Sequence, residues 1–207
     1  VALKYINKAA ERLNNLPKDT GRELTVLEKI LAMDPNPKTA MVMALDTMFA
    51  AIDSTAYATA SLLYHLAKNP DKQQKLFEEI QRYLPDKDQP LTSDILNELR
   101  YLKACIKESM RLKPVVTGNI RKLSKDMVLS NYKVPKGTRI TMPSLMLSTL
   151  DKYYPQADKF IPEPWIKGDP QYTTKTHPFV TMPFGFGPRM CIGRRFGELE
   201  IETLLTK

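Results

Sequence analysis

The 207 residues are 43% hydrophobic and 26% charged, with 8% aromatics spread along the chain, which excludes a disordered segment and suffices for one large domain or two small ones. Two cysteines, Cys105 and Cys191, exclude a disulfide framework. The formal net charge of +8 suits an acidic partner, but a basic surface alone does not say which kind.

In chain order, residues 1–15 form an amphipathic helical piece ending near Asn14-Asn15, and LTVLEKILAM reads as a short second helix. DPNPK at 34–38 is a breaker. A long helix rich in Ala, Met and Leu runs from Lys38 to about Lys68 and is closed by Asn69-Pro70. Its apolar window, Ala40 to Ala67, is interrupted by Asp46, Asp53 and His65, so it reads as a buried core helix and not as a membrane span. Asp71 is the expected N-cap of the next helix, with amphipathic spacing at Leu76, Phe77, Ile80 and Leu84. PDKDQP ends it. LTSDILNEL follows, capped by Thr92 or Ser93, and then YLKACIKESMRLKP, stopped by Pro114.

Beyond Pro114 the period changes. DMVLSNYKVPKGTRITMP alternates, with turn signals at Asn131 and Lys136-Gly137, and predicts short strands with a hairpin. Residues 150–183, rich in Pro, Tyr and Asp, read as an ordered meander. After Cys191, apolar spacing at Phe196, Leu199, Ile201 and Leu204 restores a helix. The expected class is mostly α with a small β part. Between Glu98 and Lys125, eight basic residues stand against two acidic ones, a local patch that suits either a solvated helix face or an acidic partner.

Cys191 sits in FGFGPRMCIGRR, among three glycines and immediately before a helix. A thiolate there is stabilised by the helix dipole and by free backbone N–H groups, while Arg189 and Arg194 add positive charge. Glycines let the backbone approach a flat ligand. These features suit a cysteine kept ionised as a metal ligand. Zinc requires a closed set of Cys and His ligands, and neither His65, His177 nor Cys105 has ligand spacing to Cys191. Haem needs only one or two ligands from the protein, and cysteine thiolate is among those it uses.

With these residues the sequence resembles the cytochrome P450 family of haem-thiolate monooxygenases. FGFGPRMCIG matches all five fixed positions of the Phe-x-x-Gly-x-Arg-x-Cys-x-Gly signature, at Phe184, Gly187, Arg189, Cys191 and Gly193. ESMR matches the family's Glu-x-x-Arg, at Glu108 and Arg111, on the helix called K. AAIDST at 50–55 is similar to the acid–alcohol segment of helix I, with Ala51 in place of Gly and Ser54 in place of Thr. The resemblance implies a partial fold built around helices I, J, K and L, a short β-sheet and the cysteine-ligand loop. It covers residues 1–207 as the C-terminal half of one catalytic domain with both ends missing.

The resemblance further implies haem b (iron protoporphyrin IX), with Cys191 as axial iron ligand and Arg189 and Arg121 facing the propionates. Asp53 and Ser54, with Thr55 behind them, would relay protons to dioxygen. One oxygen atom of dioxygen would enter a lipophilic substrate, a steroid or a xenobiotic. LKACIKESMRLKPV and CIGRRFGELE are closer to the mitochondrial branch, and the insect-type enzymes are its nearest members. That branch implies an adrenodoxin-like ferredoxin docking on Lys103, Lys107 and Arg194, and a place on the matrix side of the inner mitochondrial membrane. Membrane association would lie in the missing parts, and no motif for nucleic acid is present. One departure stands out: in DKFIPEPW, Pro164 holds the position of the family's third bracing arginine. Glu108 and Arg111 then pair with each other or with a neighbour such as Lys167, or the chain binds haem with impaired turnover.

Overall fold

The computed structural model describes residues 2–15, 21–171 and 176–207, and two compact units divide the chain, Val1–Ser54 and Thr55–Lys207. In the first unit, α1 (Ala2–Asn14) packs on α2 (Val26–Met33) around Ile6, Ala9, Leu31 and Ala40. A capping box opens α2: Glu28 N donates to Thr25 Oγ1 at 3.4 Å, and Thr25 N donates to Glu28 Oε2 at 2.7 Å. The Arg22 guanidinium, 2.9 Å away, draws the Glu28 carboxyl down to about 2. Helix α3 (Pro37–Lys68) begins in this unit and continues through the second.

The second unit is organised around α6 (Arg100–Leu112), preceded by α4 (Pro70–Tyr83) and α5 (Ser93–Glu98). Thr92, one of the two expected caps, accepts from Ile95 N at 3.3 Å. Asp71 is not the cap of α4. Pro70 takes the first helical position, where its missing N–H costs nothing, so Asn69 becomes the cap residue and Asp71 lies inside the first turn. The start of α6 has no side-chain cap of its own. Glu79 reaches over from α4 instead and accepts from Tyr101 N at 2.7 Å and Leu102 N at 2.9 Å. The core joins Leu62 and Leu66 of α3, Leu76 of α4, and Leu102, Cys105 and Met110 of α6 with Leu96, Leu99, Phe160 and Ile201. Each fully buried leucine here contributes about 2 kcal/mol relative to its exposed state.

Two antiparallel pairs follow. Strand β1 (Asn119–Lys122) pairs with β4 (Arg139–Met142), and between them lies the predicted hairpin, β2 (Met127–Leu129) with β3 (Tyr132–Val134). Its turn residues Ser130 and Asn131 both have positive φ, the arrangement that matches strand twist in two-residue hairpins. A short helix, α7 (Ser144–Ser148), leads into the meander, whose only regular pieces among the described residues are single 3-10 turns at Glu163–Trp165 and Pro178–Val180; residues 172–175 of that stretch lie outside the description. Helix α8 (Arg194–Thr206) ends the chain.

Several apolar positions expected inside are outside. Phe77 is exposed, because the buried stripe of α4 runs through Leu76, Ile80 and Tyr83 and Phe77 points about 100° away from Leu76. Phe196, Leu199 and Leu204 of α8 are exposed for the same reason, since its inward stripe is Ile201 with Leu205. The fold is mostly helical with a small antiparallel β part, as the sequence predicts.

Candidate haem-thiolate site and its brace

The loop before α8 is closed by the Cys191 amide, which donates to Phe184 O at 2.8 Å. Gly185 and Gly187 turn the chain through left-handed backbone, with φ of 69° and 68°. At Gly185 a side chain is disfavoured twice, because a Cβ would also lie 3.0 Å from Asn119 Oδ1 of β1. Cys191 emerges exposed two residues after the Gly187–Arg189 turn, and Gly193 serves as N-cap residue of α8, with its missing Cβ 3.9 Å from the sulfur. Exposed Met190 and Ile192 flank the cysteine.

Cys105 is not a competing ligand. It is fully buried in α6, and burial, reinforced by the carboxylates of Glu163, Glu79 and Glu108, pushes its thiol far up and keeps it protonated. Among the described residues no cluster of three His, Cys, Asp or Glu side chains could hold a metal ion. His65, buried in α3, stacks on Phe160 at 5.1 Å, and burial followed by Lys113 lowers its pKa. The residues therefore fit a metal group that takes one thiolate from the protein and brings its other ligands with it.

Phe184 packs against the core cluster, with the Arg194 guanidinium 5.3 Å from its ring centroid. Arg121, on β1, donates to Ile120 O at 2.9 Å and lies 5.4 Å from the Phe186 ring. Phe186 in turn stacks on Phe179 at 5.0 Å. Arg189 is exposed on the 3-10 turn preceding the cysteine. On α3, Asp53 is exposed and Ser54 Oγ donates to Ala50 O at 2.6 Å, a local back-bond within the helix. Thr55 is half-buried, and its Oγ1 stands 3.8 Å from where a Cβ on Gly197 of α8 would be.

The Glu108–Arg111 pair is buried and closed. Arg111 Nε and Nη2 each donate to Glu108 at 2.8 Å. Arg111 also donates to Ser148 O at 2.7 Å, Ala157 O at 2.8 Å and Lys159 O at 3.0 Å, which uses all five of its N–H donors. Glu108 additionally accepts from Ile161 N at 3.0 Å and from the Trp165 indole at 2.8 Å. Its four acceptor positions are filled without a cation at position 164. Lys167, the neighbour expected to help, is not among the donors. A cavity of about 230 Å³ lies beside Pro164, lined by Glu108, Arg111, Tyr154 and Trp165. The missing arginine leaves space there and no unsatisfied group in the Glu108–Arg111 pair, so impaired turnover through a broken brace is not favoured.

The exposed side of α6 carries Lys107, with half-buried Lys103 one turn before it. Together with Arg194, Arg195, Glu198 and Glu202 of α8 they line a groove of about 450 Å³. Arg194 is not free, because its Nε donates to Glu198 Oε1 at 3.1 Å. Burial raises the Glu202 carboxyl, with Lys103 opposing and Glu198 adding to the effect. The bond from Trp165, the backbone partners of Arg111 and the reach of Glu79 carry no signature in the sequence, since each joins residues at least 22 positions apart.

A family model for cytochrome P450 matches residues 3–207. Cytochrome P450 12b1, mitochondrial, of Drosophila acanthoptera is 45% identical over 100% of this chain and 40% of its own length. Probable cytochrome P450 12b2, mitochondrial, of Drosophila melanogaster is 47% identical over 91% of the chain and 36% of its own. Cytochrome P450 CYP12A2 of Musca domestica is 42% identical over 96% and 39%. The chain thus spans about two fifths of the curated relatives it matches. Cysteine loop, buried Glu-x-x-Arg pair and sequence relatives agree: the chain belongs to the cytochrome P450 family.

Proposed function

We propose that the protein containing this chain is a haem-thiolate monooxygenase that acts on a lipophilic substrate in mitochondria and takes electrons from a small acidic ferredoxin. The observation that carries the reading is Cys191, exposed at the mouth of a glycine-shaped loop at the start of α8, while Cys105 is buried and protonated. Bound haem b supplies the activation of dioxygen and the insertion of one of its oxygen atoms.

The chain's own residues do the rest. Cys191 Sγ is the iron ligand, its negative charge supported by the N-terminus of α8. Arg189 and Arg121 would hold the propionates of the bound group, and Phe184, Gly187 and Gly193 shape the cysteine loop that would receive it. Ser54 holds a proton at Oγ that Asp53 replenishes from solvent, with Thr55 behind the pair. Glu108 and Arg111 keep α6 and the meander in register. Lys103 and Lys107, four apart on α6, with Arg194 across the groove, meet the ferredoxin's carboxylates. The mitochondrial names of the relatives support a mitochondrial setting, and the reading puts the ferredoxin encounter on the matrix side of the inner membrane.

The ferrous carbon-monoxide spectrum of the full-length protein tests the ligand: a thiolate-type band is expected, and it should be lost in Cys191→Ser. An imidazole-type band in the wild type would end the reading. For the partner, Lys103→Glu with Lys107→Glu should weaken ferredoxin-supported turnover about tenfold or more and leave peroxide-supported turnover intact. Equal loss in both assays would mean misfolding rather than lost docking.

A further inference from the structure

Glu163 stands beside Pro164 but takes no part in the Glu108–Arg111 network. It is buried, and its Oε1 receives three donors: Lys72 Nζ at 3.1 Å, Lys75 Nζ at 3.1 Å and the Tyr101 hydroxyl at 3.2 Å. Its Oε2 is buried without a partner among the described residues. The lysines lie three apart on α4 and so share one face, and Lys75 Nζ also sits 4.6 Å above the Tyr101 ring. One carboxylate therefore ties together α4, the first turn of α6 and the Glu163–Trp165 turn.

The same short segment is held from its other side. Ile161 N and Trp165 Nε1 both donate to Glu108, so residues 161–165 are clamped between the Glu108 carboxylate and the lysine pair. Trp165 packs on Tyr154 with ring centroids 5.9 Å apart, and the Tyr154 hydroxyl lies 2.8 Å from Thr181 Oγ1, three residues before Phe184 of the cysteine loop. A half-satisfied buried carboxylate is costly unless cations compensate it, and Oε1 alone faces two of them.

We propose that Glu163, held by Lys72 and Lys75, is a positioning residue that pins the 160–166 segment to α4, so that the Glu108–Arg111 network and the cysteine loop behind it keep their geometry with proline at position 164. Its consequence for the loop rests on the haem-thiolate reading; the pin itself does not.

The test is a mutant cycle in the full-length holoenzyme, with Glu163→Gln, Lys72→Met with Lys75→Met, and all three together. Amide hydrogen exchange at Ile161, Trp165 and Ile166 is read alongside the decay of the thiolate-type spectrum on warming. Glu163→Gln and the lysine pair should each speed exchange at these amides about tenfold, and the triple variant should be no worse than the worse of the two, because the groups act as one unit. Amides of the α6 core should keep wild-type exchange, and spectral decay should quicken in step with the segment. Additive losses, or faster exchange spread evenly over the core, would overturn the proposal. So would faster exchange in the segment with unchanged spectral decay. If the lysine pair does not fold, Lys75→Met against Glu163→Gln runs the same cycle with one charge fewer. A wild type with no thiolate-type band but with local, coupled exchange would remove the reading of Cys191 and leave the pin in place.

Discussion

Glu108 is a buried carboxylate with no acceptor position to spare, and Arg111 is a buried guanidinium with no donor to spare. A pair in this condition gains little from another charge. Pro164→Arg should therefore leave haem retention within about twofold of wild type, since the new guanidinium would find Glu108 saturated. Spectral titration of haem loss checks this, and a large gain would mean that the network is open after all. Removing a donor is different. Trp165→Phe keeps the ring against Tyr154 and deletes only the indole N–H, so it should cost about 1–2 kcal/mol of unfolding free energy. Denaturant titration of the same protein measures that loss.

Among the elements, α6 carries two opposite faces. Inward lie Glu108, Arg111 and the apolar residues from Leu102 to Met110, and outward lies Lys107 beside the groove shared with α8. Within that groove Glu198 neutralises Arg194. Glu198→Gln should free the guanidinium and lower the KM for an acidic ferredoxin a few-fold at low salt, with the gain fading above about 0.15 M salt, where screening shortens the reach of an exposed charge. Salt-dependent turnover assays decide it. The extent of α6 was legible in the sequence, because Pro114 stops it. So was the cysteine loop, whose glycines and arginine are local. Strand β1 and helix α7 were not, because four or five residues show no period without a hairpin turn to mark them, as Asn131 marks the three-residue strands β2 and β3. The partners of Arg111 were hidden for another reason: Ser148, Ala157 and Lys159 contribute backbone carbonyls, which any residue except for its shape could supply. The Phe77 error came from crediting every apolar residue in α4 to one stripe, when a helix packed on one side has room inside for fewer.

At the scale of the whole molecule, the Glu163 cluster makes stability depend on pH from both ends. Burial pushes the Glu163 carboxyl up, but its own backbone N–H and the ammonium groups of Lys75 and Lys72 outweigh it, so the folded carboxyl titrates below its ordinary 4.5. A depressed carboxyl adds stability above the unfolded value and loses it as the pH falls through the folded one. Burial pushes Lys72 down, but the bond and charge of Glu163, with Asp71 nearby, leave it above its ordinary 10.5. Its contribution is therefore complete below 10.5 and fades as the pH rises through the raised value. The difference in thermal midpoint between wild type and Glu163→Gln should form a plateau between those limits and shrink at both edges. Midpoints of the two full-length proteins measured across that range give the profile directly. A difference that is constant with pH would mean that Glu163 stabilises through its shape alone. A difference that falls only on the acid side would leave the carboxylate in its role and remove Lys72 as its partner.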